Sequence, residues 1–181
     1  ETFGPLAFTF HGIAIGLRDL GMTMNPQAAH YTLMGTETLS LRMEKHRTNT
    51  EGMLEYLSKH DRVSWVSHPS MPSHSSHELA KKYLPKGAGS ILSFGVKGGR
   101  DAGKAFIENV ELASHLANVG DAKTLIIHPA TTTHSRIDAE ALIAAGITED
   151  MIRLSVGLED VRDIQADFET GFRAARKISG D

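Results

Sequence analysis

The sequence predicts an α/β domain, α+β in its local arrangement: a mixed or antiparallel sheet covered by helices on one side and preceded by a long helix. Three observations lead there. The stretch from Asn25 to about Lys59 carries apolar residues near a 3.6-residue period. Short alternating segments recur after His60, each closed by proline or glycine. Helical patterns fall between those segments in irregular order, which suits a helix-covered sheet better than a regular βαβ array.

Each element has a local reason. Residues 1–24 alternate apolar and small residues and end in "RDLGM". Asn25 is a natural helix cap and Pro26 stands at the first helical position, where a missing N–H costs nothing. Leu39, Met43, Thr50, Met53, Leu54 and Leu57 form the stripe of the long helix, with Gly35 and nearby threonines predicting a bend in its first half. "RVSWVSHP" reads as a strand stopped by Pro69. Ser75 and Glu78 have capping-box spacing for a helix "HELAKKYL" that ends before Pro85. "GSILSFGVKGG" alternates with period two and ends in glycines. Asp101 opens a helix with Phe106, Ile107 and Val110 on one side. "LASHLANVG" is ambiguous, "KTLIIHP" is a strand, and "IDAEALIAAGI" is a short helix closed by Gly146. "MIRLSVG" is a strand. The last helix has Glu159 and Asp160 in its first turn and Val161, Ile164, Phe168 and Phe172 on one face.

Composition narrows the function. The 181 residues fit about one domain able to bury a core. A net charge of −3 and a pI near 6.4 give no electrostatic case for nucleic acid. No run of about 18 apolar residues predicts a membrane span. The cysteine count of zero excludes disulfides, thiolate metal ligands and thiol nucleophiles. Without a signal peptide, the cytoplasm is the expected location. The chain opens in "ETFGPLAFTFHGIAIGLRDLGM", with no initiating Met, and is expected to be a piece of something longer. Its first third, lacking a strand–helix sandwich of its own, is expected to pack on something outside this chain.

Several chemistries fit poorly. His74 and His77, or His128 and His134, lack a third ligand at a recognised metal spacing. "GVKGGR" matches no phosphate-binding loop, and no G-x-S-x-G elbow supports a serine hydrolase. "GDAKTLIIHPATTTH" differs: a strand runs into His-Pro, then three threonines and a histidine. Pro129 ends the ladder and leaves hydroxyls at a strand's end, where small-molecule sites are commonly built. Hydroxyls bonded to their own backbone account for the same loop equally well. Arg153, near the front of "IRLSVGLED", poses a sharper alternative. A guanidinium keeps its proton, so Arg153 either points to water or meets something negative.

The segments "ETLSLRMEKH", "PSHSSHELAKKYLPKGAGSILSFGVKGG", "HLANVGDAKTLIIHPATTTHS" and "IRLSVGLEDVRDIQADF" together resemble the Cys/Met-metabolism family of pyridoxal-phosphate enzymes. Within it they are most similar to the O-acetylhomoserine sulfhydrylases, over essentially the whole chain. The resemblance implies the C-terminal domain of a fold-type-I pyridoxal-phosphate transferase. Residues 1–60 would be the end of the large cofactor domain with a linking helix, and 61–181 the substrate-binding domain. By position in the R-L-S-V-G-[IL]-E motif, Arg153 would grip the substrate α-carboxylate. In the H-P-A-[ST]-x-T-H loop, Thr133 would be the hydroxyl that orients this arginine or the substrate. Many relatives have Ser-Leu-Gly before that loop; Ala117-Asn118-Val119-Gly120 stands here, so a contact would come from Asn118 or backbone groups.

The resemblance also implies what lies elsewhere. The family joins pyridoxal phosphate to a lysine in a Ser-[AT]-[ST]-Lys stretch, and none of Lys45, Lys59, Lys81, Lys82, Lys86, Lys97, Lys104, Lys123 or Lys177 has that context. The cofactor is therefore expected to be held mainly by an N-terminal part of the same protein, and this chain alone is expected to be inactive. The implied reaction is replacement of acetate by sulfide on O-acetyl-L-homoserine, giving homocysteine, in a homo-oligomer expected to be a tetramer. Alternatives are an amino-acid-binding module without catalysis, a chain complemented by a separate lysine-bearing chain, or a relative such as an O-succinylhomoserine sulfhydrylase, a cystathionine γ-synthase or a γ-lyase.

Overall fold

The computed structural model describes residues 4–134 and 138–180 and divides into two compact units, 1–40 and 41–181. The first unit is helical. A 3₁₀ turn (Gly4–Leu6) leads into α1 (Ala7–His11) and a π-helical stretch (Gly12–Asp19). Helix α2 (Pro26–Glu37) follows, and the Asn25 side chain accepts from the Ala28 N–H at 2.8 Å, with Pro26 in the first turn. Phe8, Leu20, Tyr31 and Leu33 are exposed. The single long helix predicted from Asn25 is interrupted at Thr38, and the bend expected from Gly35 and its threonines takes this form. Helix α3 (Leu39–Lys59) then crosses into the second unit.

The second unit holds five strands: β1 (Val63–Ser67), β2 (Ile91–Val96), β3 (Ser114–His115), β4 (Leu125–Ile127) and β5 (Met151–Ser155). Their spatial order is β1-β2-β5-β4-β3, antiparallel except for the β3–β4 edge, so the sheet is mixed as expected. The ambiguous "LASHLANVG" supplies the two-residue edge strand β3. The helices are α4 (His77–Tyr83), α5 (Gly99–Glu108), α6 (Ala139–Ala144) and α7 (Val161–Ser179). No helix among the described residues is long and apolar enough to cross a membrane.

Period-two alternation puts Leu92, Phe94 and Val96 of β2 and Ile152, Leu154 and Val156 of the β5 segment on one face. There they pack against Met53 and Leu57 of α3, Phe106 of α5 and Ile164, Phe168 and Phe172 of α7. Phe106 and Phe168 meet edge to face with centroids 5.2 Å apart. Gly171 lets α7 approach this ring, since a Cβ there would lie 2.8 Å from Phe106. Helices α3, α5 and α7 thus cover one face of the sheet.

Two caps depart from expectation. The α4 N-cap is Ser76, not Ser75, and it makes no side-chain capping bond. At α7, Asp160 is the cap, accepting from Arg162 N–H at 2.9 Å, and Glu159 lies outside the helix.

Candidate functional site

The face away from the helices carries the site. Because Ile152 and Leu154 point into the core, Arg153 between them projects from the opposite face of β5, the middle strand. Ser93 of β2 and Ile127 of β4 are its register partners, so both lie beside it on that face. Arg153 is half-buried. Its Nη2 donates to the Asn118 carbonyl at 3.5 Å, the outer limit of a hydrogen bond.

Other arginines are differently placed. Arg47 sits on Glu51 and Glu44, Arg100 on Glu149, Arg162 on Asp160 and Arg176 on Asp61, all between 2.5 and 2.8 Å. Arg153 has no carboxylate partner among the described residues, although its neighbours partly withdraw it from water. A planar cationic fork, half desolvated and lacking an anion, is suited to bidentate capture of a carboxylate brought from outside.

One residue beyond Ile127 begins the loop His128–His134. His128 is fully buried, and its ring fixes the bend. Nε2 lies 2.8 Å from the Glu149 carbonyl, which can only accept, so this nitrogen carries the proton. Nδ1 is then the acceptor for the Thr131 hydroxyl at 2.9 Å. Burial holds the His128 pKa below its ordinary value, in keeping with a neutral ring. Gly103 on α5 makes room for the imidazole; a Cβ there would stand 2.9 Å from Nε2. Arg100 secures the loop two residues further on, through the Ala130 carbonyl at 3.3 Å.

The threonines divide in a way their sequence does not reveal. The Thr131 hydroxyl goes to His128 Nδ1 and the Thr132 hydroxyl to the His128 carbonyl at 2.9 Å, so both serve the loop itself. Thr133 is exposed, and its Oγ1 lies 2.8 Å from His134 Nδ1. No hydrogen bond joins Thr133 to Arg153 among the described residues. Asn118 does meet Arg153, through its backbone carbonyl; its side-chain Oδ1 is turned back to the Val119 N–H at 2.8 Å. The structure therefore brings two of the three sequence-derived positions, Arg153 and Asn118, into contact and places Thr133 on the loop that leaves β4.

Sequence reasoning passed over His46, Asn49 and Thr124, and read Glu159 only as a first-turn acid of the last helix. His46 Nδ1 donates to the Val156 carbonyl at 2.7 Å, and Asn49 Nδ2 to those of Gly157 and Glu159 at 2.9 and 2.7 Å, from 110, 108 and 110 residues away. The one local signal was two polar residues, His46 and Asn49, on the buried stripe of α3. All nine lysines are exposed, and Lys59, Lys81 and Lys104 pair with glutamates on their own helices.

Residues 8–173 match the family described as Cys/Met metabolism PLP-dependent enzymes. The homocysteine synthase of Schizosaccharomyces pombe is 51% identical over 175 residues, spanning 97% of this chain and 41% of that protein. The O-acetyl-L-homoserine sulfhydrylase 1 of Thermus thermophilus is 47% identical over 169 residues, spanning 93% and 40%. A crystal structure of cystathionine γ-synthase from Xanthomonas oryzae in complex with cystathionine superposes with a TM-score of 0.81 at 34% identity, over 95% of this chain and 44% of that one. The chain thus spans about two fifths of the length of the curated relatives it matches.

Proposed function

The chain belongs to the Cys/Met metabolism PLP-dependent enzymes, and from that premise we propose that it is the C-terminal part of an O-acetylhomoserine sulfhydrylase, supplying the site for the substrate's α-carboxylate. The parent protein replaces the acetate of O-acetyl-L-homoserine by sulfide, giving homocysteine and acetate. The observation that carries this reading is Arg153, half-buried in mid-sheet without a carboxylate partner among the described residues. The kinship with the S. pombe homocysteine synthase and the T. thermophilus O-acetyl-L-homoserine sulfhydrylase 1 supports the substrate class.

Pyridoxal phosphate, when bound, supplies the electron sink that such a replacement needs. The lysines here do not fit its imine: all nine are exposed, with Lys59, Lys81 and Lys104 on glutamates of their own helices. The cofactor-binding lysine is accordingly assigned outside this chain, to an N-terminal part of the same protein, and no chemical step is routed through these lysines. Residues 1–60 are assigned to the end of the large cofactor domain and its linking helix, and 61–181 to the substrate domain. The exposed Phe8, Tyr31 and Leu33 support a packing partner for the first unit beyond this chain. The proposed assembly is a cytoplasmic homo-oligomer.

What Arg153 contributes is orientation. Two parallel hydrogen bonds from the guanidinium hold the carboxylate in one plane, which fixes where the amino group and the γ-carbon point. The test is product formation by the intact, cofactor-loaded protein. Homocysteine should form from O-acetylhomoserine and sulfide, and more slowly from O-succinylhomoserine; cystathionine formation from cysteine exceeding homocysteine formation from sulfide would contradict the sulfhydrylase reading.

A further inference from the structure

Resting on the carboxylate role of Arg153, we propose that Glu159 is a positioning residue for substrate binding: its carboxylate closes onto Thr124 and thereby holds the Arg153 strand and the loop facing it in one arrangement. The Thr124 N–H donates to Glu159 Oε1 at 2.7 Å and the Thr124 hydroxyl to Oε2 at 2.8 Å. That hydroxyl also accepts from the Gly157 N–H at 2.9 Å, and the Thr124 carbonyl accepts from Ser114 N–H at 2.9 Å. Every polar group of this fully buried threonine is thus committed. Leu158 N–H adds a bond to the Ala122 carbonyl at 2.8 Å.

Two consequences reach Arg153. Thr124 immediately precedes β4, whose Leu125, Ile126 and Ile127 pair with Ser155, Leu154 and Arg153. The Glu159–Thr124 bonds therefore clamp the β4–β5 pair just beyond its paired end. A slip of one residue would turn Arg153 toward the aromatic core, so register here is also site geometry. The same threonine ends the segment 116–123, whose Asn118 carbonyl touches the guanidinium. On the far side of β3, which leads into that segment, Asp167 accepts from the N–H groups of Glu111, Leu112 and Ala113 at 2.7, 3.0 and 3.0 Å. Of the two carboxylate anchors, Glu159 is the one that also belongs to the Arg153 segment.

A carboxylate with a purely structural role would change stability and leave substrate affinity alone, so the experiment measures both. In the intact, cofactor-loaded protein, Glu159→Gln keeps the size of the side chain but cannot accept from both Thr124 donors. Active sites are counted by cofactor absorbance, and KM is measured separately for the amino acid and for sulfide. The expected result is a rise in amino-acid KM on the order of tenfold, with kcat and sulfide KM within about twofold, because a small displacement of a positioning group is felt at the ligand it orients. Thr124→Val, which deletes the hydroxyl's bond to Glu159 and leaves the Gly157 N–H without its acceptor, should raise the same KM, and it carries the test if the glutamine variant does not fold. An unchanged amino-acid KM in both variants, with a lowered Tm, would overturn the proposal. Arg153→Ala is run alongside: a raised KM there with none in the Glu159 and Thr124 variants removes only this inference, whereas an unchanged KM in Arg153→Ala removes the carboxylate reading itself.

Discussion

Replacing Arg153 by alanine in the intact enzyme is expected to raise KM for the amino-acid substrate by about 10²-fold or more, while the bound cofactor and its absorbance persist. The size follows from what is lost. A bidentate charge-assisted pair in a partly desolvated site contributes several kcal/mol, and each 1.4 kcal/mol is about tenfold. The separation of effects follows from place. Arg153 stands on the face of the sheet opposite the aromatic core, so its truncation leaves the packing of Phe94, Phe106 and Phe168 in place. Arg153→Lys should recover only part of the loss, because an ammonium offers a point charge and not a planar fork. Steady-state kinetics over the amino acid at saturating sulfide reads the effect.

Gly157→Ala is expected to be the most damaging single methyl group in the second unit. A Cβ at this position would stand 2.3 Å from Glu159 Oε2, 2.4 Å from the Thr124 nitrogen and 2.5 Å from the Lys123 carbonyl carbon. The first obstacle is a side chain, but the other two are backbone at the entrance to β4, which cannot yield without opening the sheet. Glycine is needed here for space. Overpacking of this kind costs typically 1–3 kcal/mol, and backbone obstruction places this case at about 3 kcal/mol. A denaturant midpoint shift with unchanged slope would show it; a wild-type midpoint would mean the segment after β5 is looser than its hydrogen bonds imply.

These two residues also show how far the sequence can be read. Both lie in one short stretch, "RLSVG", whose alternation identifies a strand and whose resemblance to a family motif assigns Arg153 a role. What alternation could not say is which strand would lie beside it, or that Ser93 and Ile127 would be its neighbours, because pairing is decided by contacts between distant segments. The helices were legible where local chemistry dominates: Asn25 and Pro26 start α2 as their side chains require, and Gly146 ends the turn after α6 with a positive φ of 73°. The long helix was legible as a stripe, but its break at Thr38 was foreshadowed only as a bend.

Glu159 and Asp160 make the limit plain. Both are acids at the start of α7, and the helix dipole favours either equally. Only the fold separates them: Asp160 caps the helix, and the neighbouring Arg162 guanidinium holds its carboxyl well below the usual range, whereas Glu159 turns back to Thr124, 35 residues away. The three threonines carry the same lesson. Their composition left a hydroxyl-lined site and hydroxyls bonded within the loop equally open; Thr131 and Thr132 take the second course and are spent on His128, whose burial no local pattern signals.

The measurement that bears most directly on the central claim compares binding of O-acetylhomoserine with binding of its carboxamide, in the intact protein and in Arg153→Ala. If Arg153 clasps the α-carboxylate, the intact protein prefers the carboxylate by about 10²-fold, and the alanine variant binds the two ligands within about threefold of each other. A variant that keeps the full preference for the carboxylate would place the anion's partner elsewhere and contradict the account.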